Sequence, residues 1–366
     1  MEEQSPFAAA FPASTVYEMI GDVTVPWRYT SVDEEYAALR GTSGLIDLSG
    51  AGLIAVDGPG AEGLLSRLFT REIEFLSQET SVMGLFLTED ATPLDVVTIS
   101  RTDDGFLVET AIGRRTSTLA HLGSFAGPDV TVRELGGELA MLGFEGPASW
   151  DVAEALLDEP ITGLPFQGVR PVQMDGFDVT VSRTGFTGEF GFKLVGPREH
   201  AGTMWSKAAA HAVPTGQEAL EIAMIETRQP ILHREAMGRE ATVVRCGFNW
   251  LVDFEKEEFL GREALTAQRA SGPSTLPVGF VSDAAVIEPG TRVGVGSEAV
   301  GEVVHAVHSP GLGTFCGIAH VEADYAASGI VFDVIGTPST VRTVSAPARI
   351  PTSWGELIAS QVSQGS

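Results

Sequence analysis

Two stretches of this chain repeat the same order of local signals, and that repeat limits the fold more than any other feature. Residues 53–69, LIAVDGPGAEGLLSRLF, read as an alternating strand, a Gly-Pro turn and an apolar helix. Residues 139–157, LAMLGFEGPASWDVAEALL, have the same order, with Val152, Leu156 and Leu157 at helical spacing. Short β-rich runs broken by Asp, Gly and Pro separate the two stretches. The pattern predicts two related units of strand–helix–hairpin type.

In the remainder of the chain, the predicted secondary structure changes near residue 271 from a hairpin and helices to short strands. FDVTVSR and GEFGFKLVGP predict a hairpin, and EHAGTMWSKAAAHA predicts a helix after it. Residues 218–232 read as helical up to Pro230, and residues 255–270 read as an exposed amphipathic helix. SGPSTLP (271–277) reads as a linker, and 278–350 contain short valine-rich strands with glycines between them. That last region predicts a small antiparallel barrel or sandwich.

These patterns give an α+β chain of three parts. We expect a first α+β unit over residues 1–135, whose ends are partly interleaved with the next unit. A second α+β unit with a connecting helix covers residues 136–272, and a C-terminal β domain covers 273–366. With 366 residues and 43% hydrophobic content, the chain is large enough to bury a core in each part.

The net charge limits the classes of partner, and the cysteine content indicates the cellular compartment. A formal net charge of −26 disfavours binding to phosphate backbones and to anionic lipid, so we expect neither nucleic acid nor membrane partners. The two cysteines, Cys246 and Cys316, lie far apart and form no C-x-x-C motif, which predicts a cytoplasmic location. We also expect no signal peptide and no transmembrane span.

The common catalytic and cofactor motifs are absent. The sequence contains no dinucleotide fingerprint, no Walker loop, no zincin motif and no nucleophile elbow. His305 and His308 are three residues apart, but on a strand they would point to opposite faces, so we expect no metal site. On motifs alone, the chain could be a binding module.

One hairpin carries an unusual combination of residues. In VSRTGFTGEFGFKLVGP (181–197), the glycines allow the backbone to approach a flat ligand closely. Phe186, Phe190 and Phe192 can supply flat apolar walls, and Glu189 can accept two N–H bonds from an amidine-like edge. The alternative is a packed turn with an exposed glutamate.

Four ordered segments resemble the aminomethyltransferase family, which comprises the glycine-cleavage T-protein and tetrahydrofolate-dependent demethylases. They are YTSVDEEYAALRGTSGLIDLSG (29–50), SRTGFTGEFGF, FEKEEFLGREAL (254–265) and GEVVHAVHSPGLGTFCGIAHVEADYAASG (301–329). The likeness covers nearly the whole chain. It implies a three-domain clover-leaf, with two duplicated units and a C-terminal antiparallel β-barrel. It also implies a central channel for tetrahydrofolate.

The resemblance assigns roles to three positions. Glu189 would bind the 2-amino and N3 edge of the pterin ring, and Phe186 would border that ring. The family's catalytic aspartate lies in a strand with two adjacent aspartates, where this chain has Leu94 and then Asp95. Asp95 would orient the one-carbon unit and stabilise the cationic nitrogen.

Other positions depart from the family pattern. Glu109 stands where the family has Asn, and Met83 where the T-protein has Tyr. The acid of the LRLEAG segment is kept as Glu226, whereas its arginine is replaced by Met224, with Arg228 one turn later. These positions would line the region where the donor meets the folate tail, and Arg228 would substitute for the missing arginine.

The resulting functional hypothesis is a tetrahydrofolate-dependent one-carbon transferase that demethylates a small-molecule donor. The substituted site favours that hypothesis over the main alternative, a T-protein-type aminomethyltransferase that acts on a lipoylated carrier protein. A second alternative is a folate-binding regulatory protein without catalytic activity.

Overall fold

A computed structural model of the chain describes residues 4–236 and 241–355. Its helices are α1 (Val32–Gly41), α2 (Ala61–Leu68), α3 (Arg115–Phe125), α4 (Ser149–Leu156), α5 (Ala201–Ala208), α6 (Gln217–Thr227), α7 (Leu232–Glu235), α8 (Val243–Cys246) and α9 (Arg262–Ser271). Its strands are β1 (Val16–Ile20), β2 (Val23–Arg28), β3 (Gly44–Asp47), β4 (Leu53–Asp57), β5 (Ser81–Leu87), β6 (Pro93–Arg101), β7 (Gly105–Glu109), β8 (Thr131–Glu134), β9 (Leu139–Glu145), β10 (Val169–Met174), β11 (Phe177–Ser182), β12 (Gly191–Pro197), β13 (Val213–Thr215), β14 (Thr275–Ser282), β15 (Arg292–Val295), β16 (Glu298–Ser309), β17 (Thr314–Glu322), β18 (Val331–Val334) and β19 (Thr340–Val344).

The repeated segments form equivalent parts of two sheets. Strand β4 lies inside a five-stranded sheet of order β5-β6-β7-β4-β8, and β9 lies inside a six-stranded sheet of order β10-β11-β12-β9-β3-β13. Each strand leads through a glycine of positive φ, Gly58 (104°) or Gly146 (144°), into its helix. A Cβ at Gly58 would lie 2.4 Å from the carbonyl oxygen of Asp129, and at Gly146 it would lie 2.3 Å from that of Thr42. Both turns therefore require glycine, and the α+β prediction is confirmed.

The two units interleave near the N-terminus. Strand β3 precedes β4 in sequence, yet it pairs with β9 and β13 in the six-stranded sheet. Helix α1 contacts α6. Along the chain, the five-stranded sheet therefore begins with β4, which lies between β7 and β8. The domain boundaries at residues 135 and 272 stay predictions.

The C-terminal region is a barrel rather than a sandwich. Strands β14, β17, β16, β15, β18 and β19 close in that order, and every ladder between them is antiparallel. Alternate residues point inward, and Val303, Ala319, Phe332 and Val341 form part of its buried core. The predicted closed antiparallel barrel is confirmed.

The prediction of an amphipathic helix over residues 255–270 is wrong for the first half of that range. Helix α9 begins only at Arg262, after Gly261 adopts a φ of 85°. Upstream, the Lys256 ammonium is buried and donates to the carbonyl oxygens of Ser66, Phe69 and Arg71 at 2.7, 3.0 and 2.9 Å. Satisfying three carbonyl groups with one lysine holds this segment in turns against the end of α2.

Helix α6 also ends before the predicted limit at Pro230. It stops at Thr227, because Arg228 takes up the left-handed conformation (φ 61°, ψ 41°) and its N–H turns back to the last carbonyls. Within the described residues, no helix is long and apolar enough to cross a membrane.

Candidate functional site

A cavity, here the central cavity, lies between the five-stranded sheet and helix α6. It holds about 810 Å³ of space between atoms, counted to its opening. Its walls come from β5, β6, β7, the loop after β7, the 183–190 turn, α6 and the segment leading into α7. The lining residues are Leu48, Ala51, Met83, Val96, Thr98, Glu109, Thr110, Ala111, Ile112, Phe186, Gln217, Leu220, Glu221, Met224, Pro230, Ile231, Leu232 and His233. A mostly apolar wall with a few polar groups is typical of a small-molecule site.

Strand β6 sends alternate side chains to the cavity and to the core. Val96 and Thr98 line the cavity, whereas Val97 and Ile99 are fully buried in a hydrophobic cluster on the other face. Asp95 belongs to the second set and has no exposed surface. The period of two along a strand therefore places the Asp95 carboxylate behind the cavity wall.

The surroundings of Asp95 occupy both of its carboxylate oxygens. Thr118 Oγ1 donates to Oδ2 at 2.6 Å, and the Ala111 N–H donates to Oδ1 at 3.1 Å. Burial is the main influence and raises the pKa of Asp95 to about 7, although these hydrogen bonds oppose the shift. The sequence-based expectation that Asp95 faces the ligand does not match this geometry.

The hairpin glycines hold Phe186 against the cavity. Buried Glu145 accepts the backbone N–H of Phe186 at 2.9 Å and both the N–H and the hydroxyl of Thr187 at 2.9 and 2.8 Å. A Cβ at Gly185 would lie 2.8 Å from a Glu145 oxygen. Only glycine lets the turn approach the carboxylate this closely, and the bonds then fix the ring of Phe186 at the cavity wall, where the resemblance expects it.

A buried ion pair stands beside that ring. Lys193 on β12 is 1% exposed, and its ammonium binds the carboxylate of Glu109 on β7. The same ammonium lies 4.5 Å from the centroid of the Phe186 ring. Glu109 lines the cavity, together with Met83 and Met224. The structure therefore brings together Met83, Glu109 and Phe186 of the expected site.

Glu189 does not reach the cavity. Its carboxylate is enclosed by Arg40 Nη1 at 3.0 Å and by the backbone N–H groups of Thr352 and Ser353 at 2.9 and 2.8 Å. The Ser353 hydroxyl donates a further bond at 2.7 Å. Gly188, at a φ of 77°, turns the chain between Phe186 and Glu189. In this structure Glu189 binds the 352–353 backbone, and its expected contact with a pterin stays a prediction.

Glu226 is also bound by other groups of the protein. It belongs to a set of side chains that we call the Arg40 cluster: Tyr36, Arg40, Glu189, Glu226 and Ser309. Arg40 donates to Glu226 through Nε at 3.1 Å and Nη2 at 2.6 Å, so one guanidinium joins the two buried carboxylates. Tyr36 and Ser309 hydroxyls complete the bonds to Glu226. The cluster ties α1, the hairpin and α6 to the barrel strand β16.

Arg228 also points away from the central cavity. It pairs with Glu235 at 2.8 Å and donates to the Cys246 carbonyl at 2.8 Å. It therefore does not supply the guanidinium that the family pattern has at the position of Met224.

Sequence reasoning missed Arg40 and Lys193, which neutralise the carboxylates it had selected. Arg40 ends an ordinary amphipathic helix and Lys193 sits in a strand, and neither position carries a local signal of burial. The one available hint was that Lys193 is among very few lysines in the chain and lies in an apolar run. Among the described residues, no group of three or more His, Cys, Asp or Glu is placed to hold a metal.

Comparison with known proteins agrees with this architecture. A family model described as the GCVT N-terminal domain matches residues 12–256. An aminomethyltransferase of Streptomyces coelicolor is 32% identical over 338 residues, covering 88% of this chain and 91% of the relative. An aminomethyltransferase of Rubrobacter xylanophilus is 30% identical, covering 89% and 86%. The crystal structure of the glycine cleavage system aminomethyltransferase T from Bartonella henselae matches with a TM-score of 0.83 at 23% identity, over 93% of this chain and 95% of that one.

These findings define the class of protein first: an α+β transferase with a C-terminal antiparallel barrel. The chain belongs to the aminomethyltransferase family.

Proposed function

We propose that the central cavity binds a reduced folate and that the protein transfers a one-carbon unit to it. The observation that carries this proposal is the Phe186 ring beside the Glu109–Lys193 pair, in a cavity closed by α6. A flat ring wall next to a carboxylate suits a flat heterocycle with N–H donors on one edge.

The chemistry of the cavity residues fits tetrahydrofolate. Glu109 can accept N–H bonds from the amino-pyrimidine edge, and Lys193 holds its carboxylate in place from behind. Met83, Met224 and Val96 supply apolar contacts around the ring. Bound tetrahydrofolate would supply the nitrogen that accepts the one-carbon unit.

The chain's own contribution is orientation and exclusion of water. The cavity walls hold Glu109, which is paired with Lys193, and the hydrogen-bonded Glu221 and His233, and are otherwise largely apolar. Fixed partial charges in an apolar pocket act on a developing charge more strongly than they would in water. Holding donor and acceptor in contact supplies a further large part of the rate.

The donor we favour is an aminomethyl group, because the relatives that match most of the chain are named aminomethyltransferases. A lipoylated carrier protein would then be the partner. Demethylation of a small molecule, the first expectation from the sequence, is not confirmed and is kept as a second candidate. It is favoured by the thioether wall of Met83 and Met224, which suits a small apolar donor.

Calorimetric titration with tetrahydrofolate tests the binding site. We expect Glu109→Gln to weaken binding by about 1–3 kcal/mol, the usual cost of degrading a charged hydrogen bond. Glu302→Gln, at an exposed position on β16, is the matched control and should bind as the wild type does. The proposal would be contradicted if the wild type showed no binding at tetrahydrofolate concentrations near a millimolar.

Mass spectrometry of the folate products then decides the donor. Tetrahydrofolate is incubated with an aminomethyl-loaded lipoyl carrier, and separately with methylamines, aryl methyl ethers and sulfonium compounds. Methylenetetrahydrofolate formed only with the carrier supports aminomethyl transfer, whereas 5-methyltetrahydrofolate formed from a free compound supports demethylation. Binding without either product would indicate a regulatory folate-binding protein.

A further inference from the structure

The central cavity holds a second pair of polar side chains, besides Glu109 and Lys193, that the sequence did not single out. His233 on α7 and Glu221 on α6 both line the cavity, and His233 Nε2 lies 2.7 Å from Glu221 Oε1. The Glu221 side chain is 4% exposed, and that of His233 is 18% exposed. An imidazole held by a buried carboxylate beside a cavity is an arrangement that proton-transfer sites use.

Glu221 is also approached by nitrogen atoms from two elements, α7 and β16. Its second oxygen, Oε2, lies 3.2 Å from Arg234 Nε on α7 and 3.3 Å from His305 Nε2 on β16. Arg234 in turn approaches Glu18 on β1 at 3.6 Å. Burial alone would raise the pKa of Glu221, but the hydrogen bond from His233, the nearby His305 and the Arg234 guanidinium outweigh it and lower that pKa to about 2. Glu221 is therefore an ionised acceptor at ordinary pH.

The ionised carboxylate fixes the tautomer of His233. A carboxylate only accepts hydrogen bonds, so Nε2 must carry the proton, and the lone pair of the neutral ring is on Nδ1. None of the described residues forms a hydrogen bond with Nδ1. Because His233 lines the cavity and its Nε2 is bound to Glu221, Nδ1 is the ring nitrogen left for a ligand there.

We propose that His233, positioned by Glu221, is the proton-transfer residue of this cavity. The inference rests on the proposed one-carbon transfer. When the bond between the acceptor nitrogen and the one-carbon unit forms, His233 Nδ1 takes the proton that leaves that nitrogen. The bond between the one-carbon unit and the donor atom breaks at the same time, and its electron pair stays on the donor atom. The proton then passes from His233 to the leaving group or to water.

His305 provides a matched control, because it approaches the same carboxylate from the barrel and does not line the cavity. His233→Gln can keep an N–H bond to Glu221 through its side-chain amide while it removes the titrating ring. His305→Gln makes the same change on the other side. If the two histidines only tie α6 and α7 to the barrel, both variants should behave alike.

We expect His233→Gln to melt with the wild type and to bind tetrahydrofolate with the same affinity, while its turnover falls by about 10²–10⁴-fold. Any decline of the wild-type rate towards low pH should be absent from the residual rate of His233→Gln. His305→Gln should keep its turnover and the wild-type pH profile. Equal turnover in wild type and His233→Gln, or equal losses in both variants, would overturn the inference.

A second readout does not depend on turnover. In long-range ¹⁵N spectra of the histidine rings, His233 should be the Nε2–H tautomer, and tetrahydrofolate should shift its Nδ1 resonance without shifting that of His305. An Nδ1–H tautomer, or a His233 resonance that ignores the ligand, would contradict the proposal. A wild-type protein without folate-dependent turnover would instead show that the proposed function is wrong, which is a different result from an active wild type matched by His233→Gln.

Discussion

The Arg40 cluster and the central cavity both contain buried carboxylates, but those carboxylates are used differently. In the Arg40 cluster, Glu189 and Glu226 are enclosed on all sides by donors from the protein itself. In the cavity, Glu109 has one bound cation behind it and remains 15% exposed. Glu189 and Glu226 are the acids kept from the family pattern, and here they bind donors of the protein itself, whereas the cavity-lining acid Glu109 is a departure from that pattern. A preserved motif can therefore maintain a fold while neighbouring substitutions change the site.

The largest expected effect comes from breaking the Arg40 cluster. Arg40→Met leaves two buried carboxylates without their common cation, and we expect it to lower the free energy of unfolding by about 3–5 kcal/mol. Urea denaturation followed by circular dichroism measures this. Arg133→Met removes a guanidinium from an exposed pair with Glu138 and should change stability by less than about 1 kcal/mol. Equal effects of the two changes would mean that the cluster does not hold the units together.

A variant of Asp95 tests whether the role of this residue is structural or catalytic. The pKa of Asp95 is raised in the folded protein, so folding favours the protonated acid. The contribution of Asp95 to the free energy of unfolding should therefore be largest below pH 4 and should decline as the pH rises to about 7. We expect Asp95→Asn to abolish that decline, because the amide does not ionise.

Thermal or urea unfolding at pH 5 and pH 8 gives the Asp95 comparison directly. Turnover measured on the same samples separates the two roles. A hundredfold loss of turnover in Asp95→Asn, with the pH dependence of stability unchanged, would restore the catalytic assignment made from the sequence.

Lys193→Met sharpens the contrast between the cavity and the Arg40 cluster. The change removes the cation behind Glu109, but the cavity lets water reach that carboxylate, so the loss of stability should be about 1–2 kcal/mol, smaller than for Arg40→Met. Chemical denaturation of both variants in one buffer provides the ranking. A cost for Lys193→Met as large as that for Arg40→Met would show that Glu109 is sealed from solvent.

The smallest effect concerns the ring wall. Phe186→Leu should weaken tetrahydrofolate binding by about 1 kcal/mol through lost ring contact. Phe190→Leu is the matched control, because Phe190 packs against Trp150 and does not line the cavity. Titration calorimetry of the two variants should separate them. If both bind alike, the Phe186 side of the cavity is not where the ligand ring lies.

The sequence by itself determined most of the elements, although it began the α9 helix too early. The repeated strand–glycine–helix segments, the hairpin before α5 and the valine-rich barrel strands all follow from local periodicity and from glycine positions, which neighbouring residues settle. The resemblance identified the family for the same reason, since its motifs are short and ordered. The sequence also placed Met83, Glu109 and Phe186 together at one site.

Tertiary structure alone decided which side chains face the central cavity. The strand parity of β6 turned Asp95 into the core, and a distant Arg40 withdrew Glu189 and Glu226 from the cavity. Lys193 and Glu109 meet across two sheets, and His233 is oriented by a carboxylate on another helix. The burial and pairing of a charge depend on contacts between residues far apart in sequence, and the free energy of a buried charge is set almost entirely by those contacts, which no local pattern contains.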